Sequence, residues 1–282
     1  MLFPRFDSGA LPDFESLSLL ALLQGLTEFL PVSSSGHLVL TQAALGFDRP
    51  AIGVDVALHV GTLLAVLVVY RADLLRLVKG ALSGDLVEPL LIVLGTIPAA
   101  VIGLTFRDSI HGLFEKPMTA AWGLVATSGI LITGELARRR GEARAADAEA
   151  RGEDGEESQC PRWHQALLIG VSQALAILPG ISRSGTTIAC GLLLGLRPAA
   201  AARFSFLLAI PTILGAAVLE LPGAMEETSG GGLAPLIWAT LFAGFVGWGA
   251  MRMLLAFLAR GAFAWFSVYC LVLGAGVLLF LG

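Results

Sequence analysis

Glu28, Ser33, Ser34, Ser35 and His37 fall within ten residues, in the stretch EFLPVSSSGH at 28–37. Together they offer a carboxylate, three hydroxyls and an imidazole, the parts of an acid–base or nucleophilic centre. Gln24 lies four residues before Glu28, so the two share a helix face. Pro31 ends that helix, because it removes a backbone donor and clashes with the preceding turn. Gly36 permits an unusual backbone turn. His37 is the one group here that exchanges a proton near neutral pH. Helix breaking plus N-capping by a serine of a helix at 38–47 accounts for the proline and the hydroxyls. It leaves Glu28 unexplained. A carboxylate at membrane depth is costly and by default marks function.

A second polar break, PGISRSGTT at 179–187, carries Arg183 between Ser182 and Ser184, with Gly180, Gly185, Thr186 and Thr187 around it. A planar guanidinium among hydroxyls forms bidentate, charge-assisted bonds to phosphate. The backbone N–H groups and dipole of a helix starting at 185 add to that. Arg183 could also pair with Glu28 structurally or snorkel, and an ion pair in the empty site is compatible with both roles. Asp55 and His59 lie four apart in DVALHVGT and are read either as a buried hydrogen-bonded pair or as a relay behind the site. Glu88 and Glu135 are expected at span ends, and His111 and His164 are given no role.

What must position these groups is a membrane scaffold. The chain has 282 residues, 56% of them hydrophobic and only 14% charged, with a mean hydropathy of +0.80. Soluble domains average about 25% charged residues. A net charge of -4 gives no reason to expect nucleic acid as a partner. The three cysteines share no metal-ligand spacing, and the 34 glycines suit close helix packing in a bilayer. The first sixteen residues hold one basic and three acidic side chains, which does not match a secretory signal peptide.

Six stretches are long and apolar enough to span: 52–70, 90–106, 117–134, 204–219, 233–251 and 262–281. Four more, 16–30, 38–47, 165–178 and 185–196, are too short and are paired across the two polar breaks. Such pairs read as re-entrant elements, and non-helical backbone at membrane depth survives only where protein or a polar cavity satisfies it. QGLTEFLPVSSSG at 24–36 and QALAILPGISRSG at 173–185 resemble each other with one gap in each.

The expected fold is therefore an all-α integral membrane protein of two inverted-topology repeats. Each repeat is a re-entrant helix pair plus three transmembrane helices. The first repeat is 1–137, with its re-entrant pair at 16–47. A charged, solvated cytoplasmic linker without apolar periodicity follows at 138–162. The second repeat is 163–282, with its re-entrant pair at 165–196. Placing the linker and its six arginines in the cytoplasm puts thirteen basic residues inside and four outside (Arg5, Arg49, Arg107 and Lys116). The acidic loop at 220–232 then falls outside. Three spans per repeat is an odd number, so the second repeat inverts. The tips of the two breaks can then meet in the membrane, as at transporter substrate sites. Pro211, inside the fourth span, is expected to kink it and shape the cavity.

With both breaks in view, the chain is similar to the undecaprenyl pyrophosphate phosphatases of the bacitracin-resistance type. QGLTEFLPVSSSGHL, DVALHVGTLLAVLVVYR, LPGISRSGTTI and FSFLLAIPTILGA carry the resemblance, which covers nearly the whole chain apart from the N-terminal tail and the linker. It implies hydrolysis of a C55 polyprenyl diphosphate to the monophosphate and inorganic phosphate in the bacterial inner membrane. That reaction recycles the lipid carrier for cell-wall synthesis and confers bacitracin resistance. It also implies that Glu28 is the essential acid, and that Ser34, His37 and Arg183 are catalytic and phosphate-binding residues. Ser182 and Thr187 match supporting positions, and Ser33, Ser35 and Ser184 are further expected phosphate ligands. A divalent cation, Mg²⁺ or Ca²⁺, is expected on Glu28 and Gln24, although Gln24 stands where glutamate is common in the family.

Three schemes stay open on sequence: Ser34 attacks with His37 as base, His37 itself attacks, or Glu28 activates water. The rival class is a transporter or flippase of a polyprenyl phosphate or another anion, which needs a binding site but no base. Expected partners are the polyprenyl diphosphate lipid and the bilayer, with a homodimer as a further expectation. The active site is expected to open to the periplasmic side.

Overall fold

A computed structural model describes residues 13–47, 50–151, 160–228, 233–259 and 263–281. The N-terminal tail with Arg5, residues 48–49 with Arg49, the middle of the charged linker, the end of the acidic loop and Arg260 lie outside the described residues.

The described residues form twelve α-helices and no strand of regular sheet. The first polar break joins α1 (Phe14–Phe29) to α2 (Ser34–Leu45), and the second joins α8 (Trp163–Leu175) to α9 (Arg183–Leu193). At 1.5 Å per residue the 12 residues of α2 extend about 18 Å, well short of a hydrocarbon core of about 30 Å. Six helices are long and apolar enough to cross: α3 (Ile52–Val69), α5 (Val87–Thr105), α7 (Pro117–Ala150), α10 (Pro198–Thr228), α11 (Leu233–Ala259) and α12 (Phe263–Leu281). The chain is thus an all-α, multi-pass membrane protein. Leu90, Val93, Ile97, Val101 and Leu104 of α5 are exposed at helical spacing, an aliphatic stripe that suits lipid.

Three features differ from the sequence expectation. The loops after the first and second spans contain short helices, α4 (Arg71–Leu82) and α6 (Arg107–Phe114). Both are amphipathic, and neither buries a residue. The third span does not stop at 134, because α7 continues through Ala150 into the stretch read as a solvated linker. Glu135 is buried, with Arg138 and Arg139 three and four residues on donating to it at 2.9 and 2.7 Å. Such i,i+3 and i,i+4 pairs hold a polar helix without an apolar stripe. Third, α10 is longer at both ends than the expected span, holds Pro211 in its interior and covers most of the acidic loop.

Packing in a bilayer depends on close approach and on polar cross-links between helices. Helices α5 and α8 cross at Gly95 and Gly170, where a Cβ on Gly170 would stand 2.3 Å from the Gly95 carbonyl oxygen. Ser128 and Ser267 share a hydroxyl contact of 3.0 Å between α7 and α12. Arg203 of α10 donates to Asp73 of α4 at 2.5 Å and to Glu88 of α5, so Glu88 is an inter-helix anchor and not only a span-end residue. At the other end of α10, Arg107 pairs with Glu220 at 3.0 Å. The last buried residue of α1, Phe29, meets Phe206 of α10 edge-on, with ring centroids 5.8 Å apart. That contact fixes the end of α1, where Glu28 sits.

Candidate active site

The two breaks touch. A Cβ on Gly36 would lie 2.9 Å from the Gly180 Cα, and Ser184 Oγ donates to the Leu30 carbonyl oxygen at 3.2 Å. Gly180 needs to be glycine on two counts. Its φ is 87°, and a Cβ there would stand 2.0 Å from the Ala120 carbonyl oxygen. Thr127 of α7 braces the same turn. Its hydroxyl donates to the Gly180 carbonyl oxygen at 2.8 Å and accepts from Ser182 N at 3.0 Å.

Glu28 is the hub. Its side chain is buried, and donors approach both oxygens. Ser34 Oγ donates to Oε2 at 2.6 Å, and Gln24 Nε2 to the same oxygen at 3.1 Å. Arg183 donates to Oε1 and forms an ion pair there. His59 Nε2 stands 3.6 Å from Oε2. The structure therefore brings Gln24, Glu28, Ser34, His59 and Arg183 together. Two polar atoms of this set are buried and have no hydrogen-bond partner: Gln24 Oε1 and Arg183 Nη1. An acceptor and a donor without partners, on residues that both bond to Glu28, are groups that a cation and a phosphate could each engage.

The Asp55–His59 pair is corrected by the geometry. His59 Nδ1 faces the Asp55 backbone carbonyl at 2.7 Å, whereas the Asp55 carboxylate accepts from Gln42 Nε2 at 2.7 Å. His59 turns its other nitrogen to Glu28, and Asp55 tethers α3 to α2.

His37 does not serve Ser34 directly. Its Nδ1 lies 2.7 Å from the Ser33 carbonyl oxygen and its Nε2 lies 2.7 Å from Tyr269 Oη. The remaining hydroxyls expected at a phosphate are engaged locally. Ser33 caps α2 by accepting from Gly36 N at 3.2 Å, and Ser182 caps α9 by accepting from Gly185 N at 3.1 Å. Thr187 is fully buried, its hydroxyl donating to the Arg183 carbonyl oxygen at 2.8 Å and sharing a 2.6 Å contact with Ser205. That contact fixes the turn bearing Arg183. Ser35 is half-buried and lies 3.2 Å from Ser33 Oγ.

Sequence reasoning missed Tyr269 and Thr127. No local pattern signals them, since the contacts run over 232 and 53 residues. The only available hint for Tyr269 is scarcity, as the chain has two tyrosines. Beyond Tyr269 a shallow apolar groove of about 490 Å³ runs along α12, lined by Val272, Leu273, Gly276, Val277 and Phe280.

The family model described as bacitracin resistance protein BacA matches residues 17–276. A protein named undecaprenyl-diphosphatase from Desulfosudis oleivorans is 43% identical, the match covering 93% of this chain and 96% of that protein. Proteins of the same name from Carboxydothermus hydrogenoformans and Mycobacterium ulcerans are 41% and 37% identical, over 94% and 93% of this chain.

Proposed function

The chain belongs to the bacitracin resistance protein BacA family and is an undecaprenyl-diphosphatase, and from that premise we propose that Ser34 attacks the terminal phosphate with Glu28 as its base. The observation that carries this reading is the 2.6 Å hydrogen bond from Ser34 Oγ to Glu28 Oε2. A nucleophile already bonded to a carboxylate has its proton acceptor in place.

In the first step the Ser34 oxygen bonds to the terminal phosphorus, and the phosphoanhydride bond breaks. The hydroxyl proton passes to Glu28, and the polyprenyl monophosphate leaves. Glu28 gives that proton to the departing monophosphate. In the second step water attacks the phosphoserine and loses a proton to Glu28, the Ser34 Oγ–P bond breaks, Glu28 returns the proton to Ser34 Oγ, and inorganic phosphate departs. Arg183 binds the terminal phosphate. Its open Nη1 offers the first contact, and the phosphate then competes with Glu28 for the rest of the guanidinium. That exchange releases Glu28 to act as base at the moment substrate is bound. His59 Nε2 stands beside the same carboxylate, 3.6 Å from Oε2 and beyond hydrogen-bond distance.

For a divalent cation, Glu28 and Gln24 are the side chains whose oxygens support a site. Gln24 Oε1 is an open oxygen on the residue whose amide nitrogen bonds to Glu28, and both are hard oxygen donors. Among the described residues no three His, Cys, Asp or Glu side chains cluster as a metal site. Two protein oxygens with the remaining positions left to water and phosphate match the way Mg²⁺ is commonly held. Glu28 and Gln24 would hold Mg²⁺ or Ca²⁺, which neutralises diphosphate charge when bound. The lipid tail runs out along the groove on α12, and the pocket opens to the periplasmic face of the inner membrane, with the halves arranged as inverted repeats. The charge bias of the loops and the meeting of the two breaks support that arrangement.

The test is phosphate release by the detergent-solubilised protein from a C55 polyprenyl diphosphate, with Glu28→Gln and Arg183→Ala alongside. Metal-dependent release by wild type, lowered by about 100-fold or more in both variants, is expected. Folded wild-type protein that binds the lipid but releases no phosphate with Mg²⁺ or Ca²⁺ would overturn it.

A further inference from the structure

Ser33 is the one non-glycine among the described residues with positive φ, at 68°. Its carbonyl and the Ser34 N–H belong to one rigid peptide plane. The direction of that carbonyl therefore sets where Ser34 begins and where its hydroxyl can point. A serine in this conformation persists only if its surroundings hold it there.

The hold is His37. A carbonyl oxygen only accepts, so the 2.7 Å contact requires His37 Nδ1 to carry the proton and donate to the Ser33 oxygen. In the neutral ring Nε2 is then the acceptor, and the Tyr269 hydroxyl, 2.7 Å away, donates to it. A charged ring would be a buried cation whose two partners, a carbonyl and a phenol, are both neutral. The two rings lie parallel, 3° apart in plane with centroids at 5.6 Å. The next residue on α12 grips the same break, since the Cys270 thiol approaches the Pro31 carbonyl oxygen at 3.8 Å. Helix α12 thus holds the break on both sides of Val32.

We propose that Tyr269 is a positioning residue for the reaction, acting through His37 on the Ser33–Ser34 peptide. This rests on the reading of Ser34 as the attacking group. His37 is then a structural link with both nitrogens committed, and neither base nor nucleophile. Donation by the phenol to Nε2 fixes the tautomer and removes the ring flip that would release the Ser33 carbonyl. Packing alone would be served as well by phenylalanine, so the hydroxyl is the informative atom.

The test uses the full-length protein in detergent with C55 polyprenyl diphosphate and measures kcat and KM separately. Tyr269→Phe keeps the stacked ring and loses one hydrogen bond. It should lower kcat by about 3- to 10-fold with KM within about twofold. His37→Gln offers an amide that can donate to Ser33 and an oxygen that can accept from Tyr269. It should lose no more than about 10-fold in kcat, whereas removal of a general base costs about 100-fold or more. In a His37→Ala background, Tyr269→Phe should add nothing.

An unchanged kcat in Tyr269→Phe overturns the proposal. So does the same loss from Tyr269→Phe in the His37→Ala background, or a folded His37→Gln as inactive as Ser34→Ala. Ser34→Ala, run alongside, separates the two readings. Wild-type release from it overturns the assignment of Ser34 itself.

Discussion

Arg183 and Glu28, 155 residues apart in the chain, form an ion pair across the junction of the two polar breaks, with Glu28 buried and Arg183 half-buried. Each charge is largely shielded from water and is balanced by the other. Removing one partner of such a pair typically costs about 3–5 kcal/mol, because the other is left uncompensated. Arg183→Ala should therefore lower the unfolding temperature as well as activity. Arg183→Met combined with Glu28→Gln should recover much of the stability while remaining inactive. Thermal unfolding in detergent, followed beside phosphate release, checks both halves of the statement.

Gln24 bears on the metal. Replacing it by glutamate would put a carboxylate where the orphan Oε1 now lies and would remove the donor to Glu28. Without metal the two carboxylates repel, and with metal they are joint ligands. Gln24→Glu should need several-fold less Mg²⁺ for half-maximal release and should lose more stability than wild type when EDTA is added. A titration of activity and unfolding temperature against free Mg²⁺ decides it, and equal titration curves for the two proteins would argue against Gln24 as a ligand.

Gly180 tests how rigidly the second break is seated. Alanine there must accept φ 87° and a clash with the Ala120 carbonyl oxygen. Gly180→Ala should disrupt folding or leave a protein without activity. Gly112→Ala on α6, where a Cβ meets nothing within 4 Å, should be close to silent. Size-exclusion profiles and phosphate release distinguish the two.

Cys160 gives a pH signature outside the spans. Burial, reinforced by Glu88, pushes its thiol up to about 11. Only the thiolate reacts with maleimide. Labelling at pH 8 should be slow relative to a free cysteine and should rise about tenfold per pH unit until it levels near 11. A rate that levels near pH 9 would show that the thiol is not shielded as described.

Much of this was readable in the sequence, for physical reasons. Pro31 cannot continue a helix, Gly180 takes a φ of 87° that suits a turn, and a charged or polar cluster between apolar runs has few explanations in lipid. Glu28 and Arg183 follow from that polar cluster, Ser34 and Gln24 from the family resemblance, and the four are found together. Helix ends were less legible. Glu135 with Arg138 and Arg139 extends α7 well into a stretch whose composition reads as solvated linker, because i,i+3 and i,i+4 ion pairs leave no apolar periodicity. Side-chain direction was not legible at all. Asp55 and His59 have helical spacing but point to Gln42 and Glu28. His37 looked like a base because it is titratable and close to Ser34 in sequence. Its partner, Tyr269, arrives from the last helix.

The most direct test of the central claim is phosphate release by Ser34→Ala, shown to be folded by its unfolding temperature, from the C55 polyprenyl diphosphate beside wild type. If Ser34 is the nucleophile held against Glu28, kcat should fall by about 10³-fold or more. A variant that retains kcat within about tenfold would contradict the account and move the attack to water activated by Glu28.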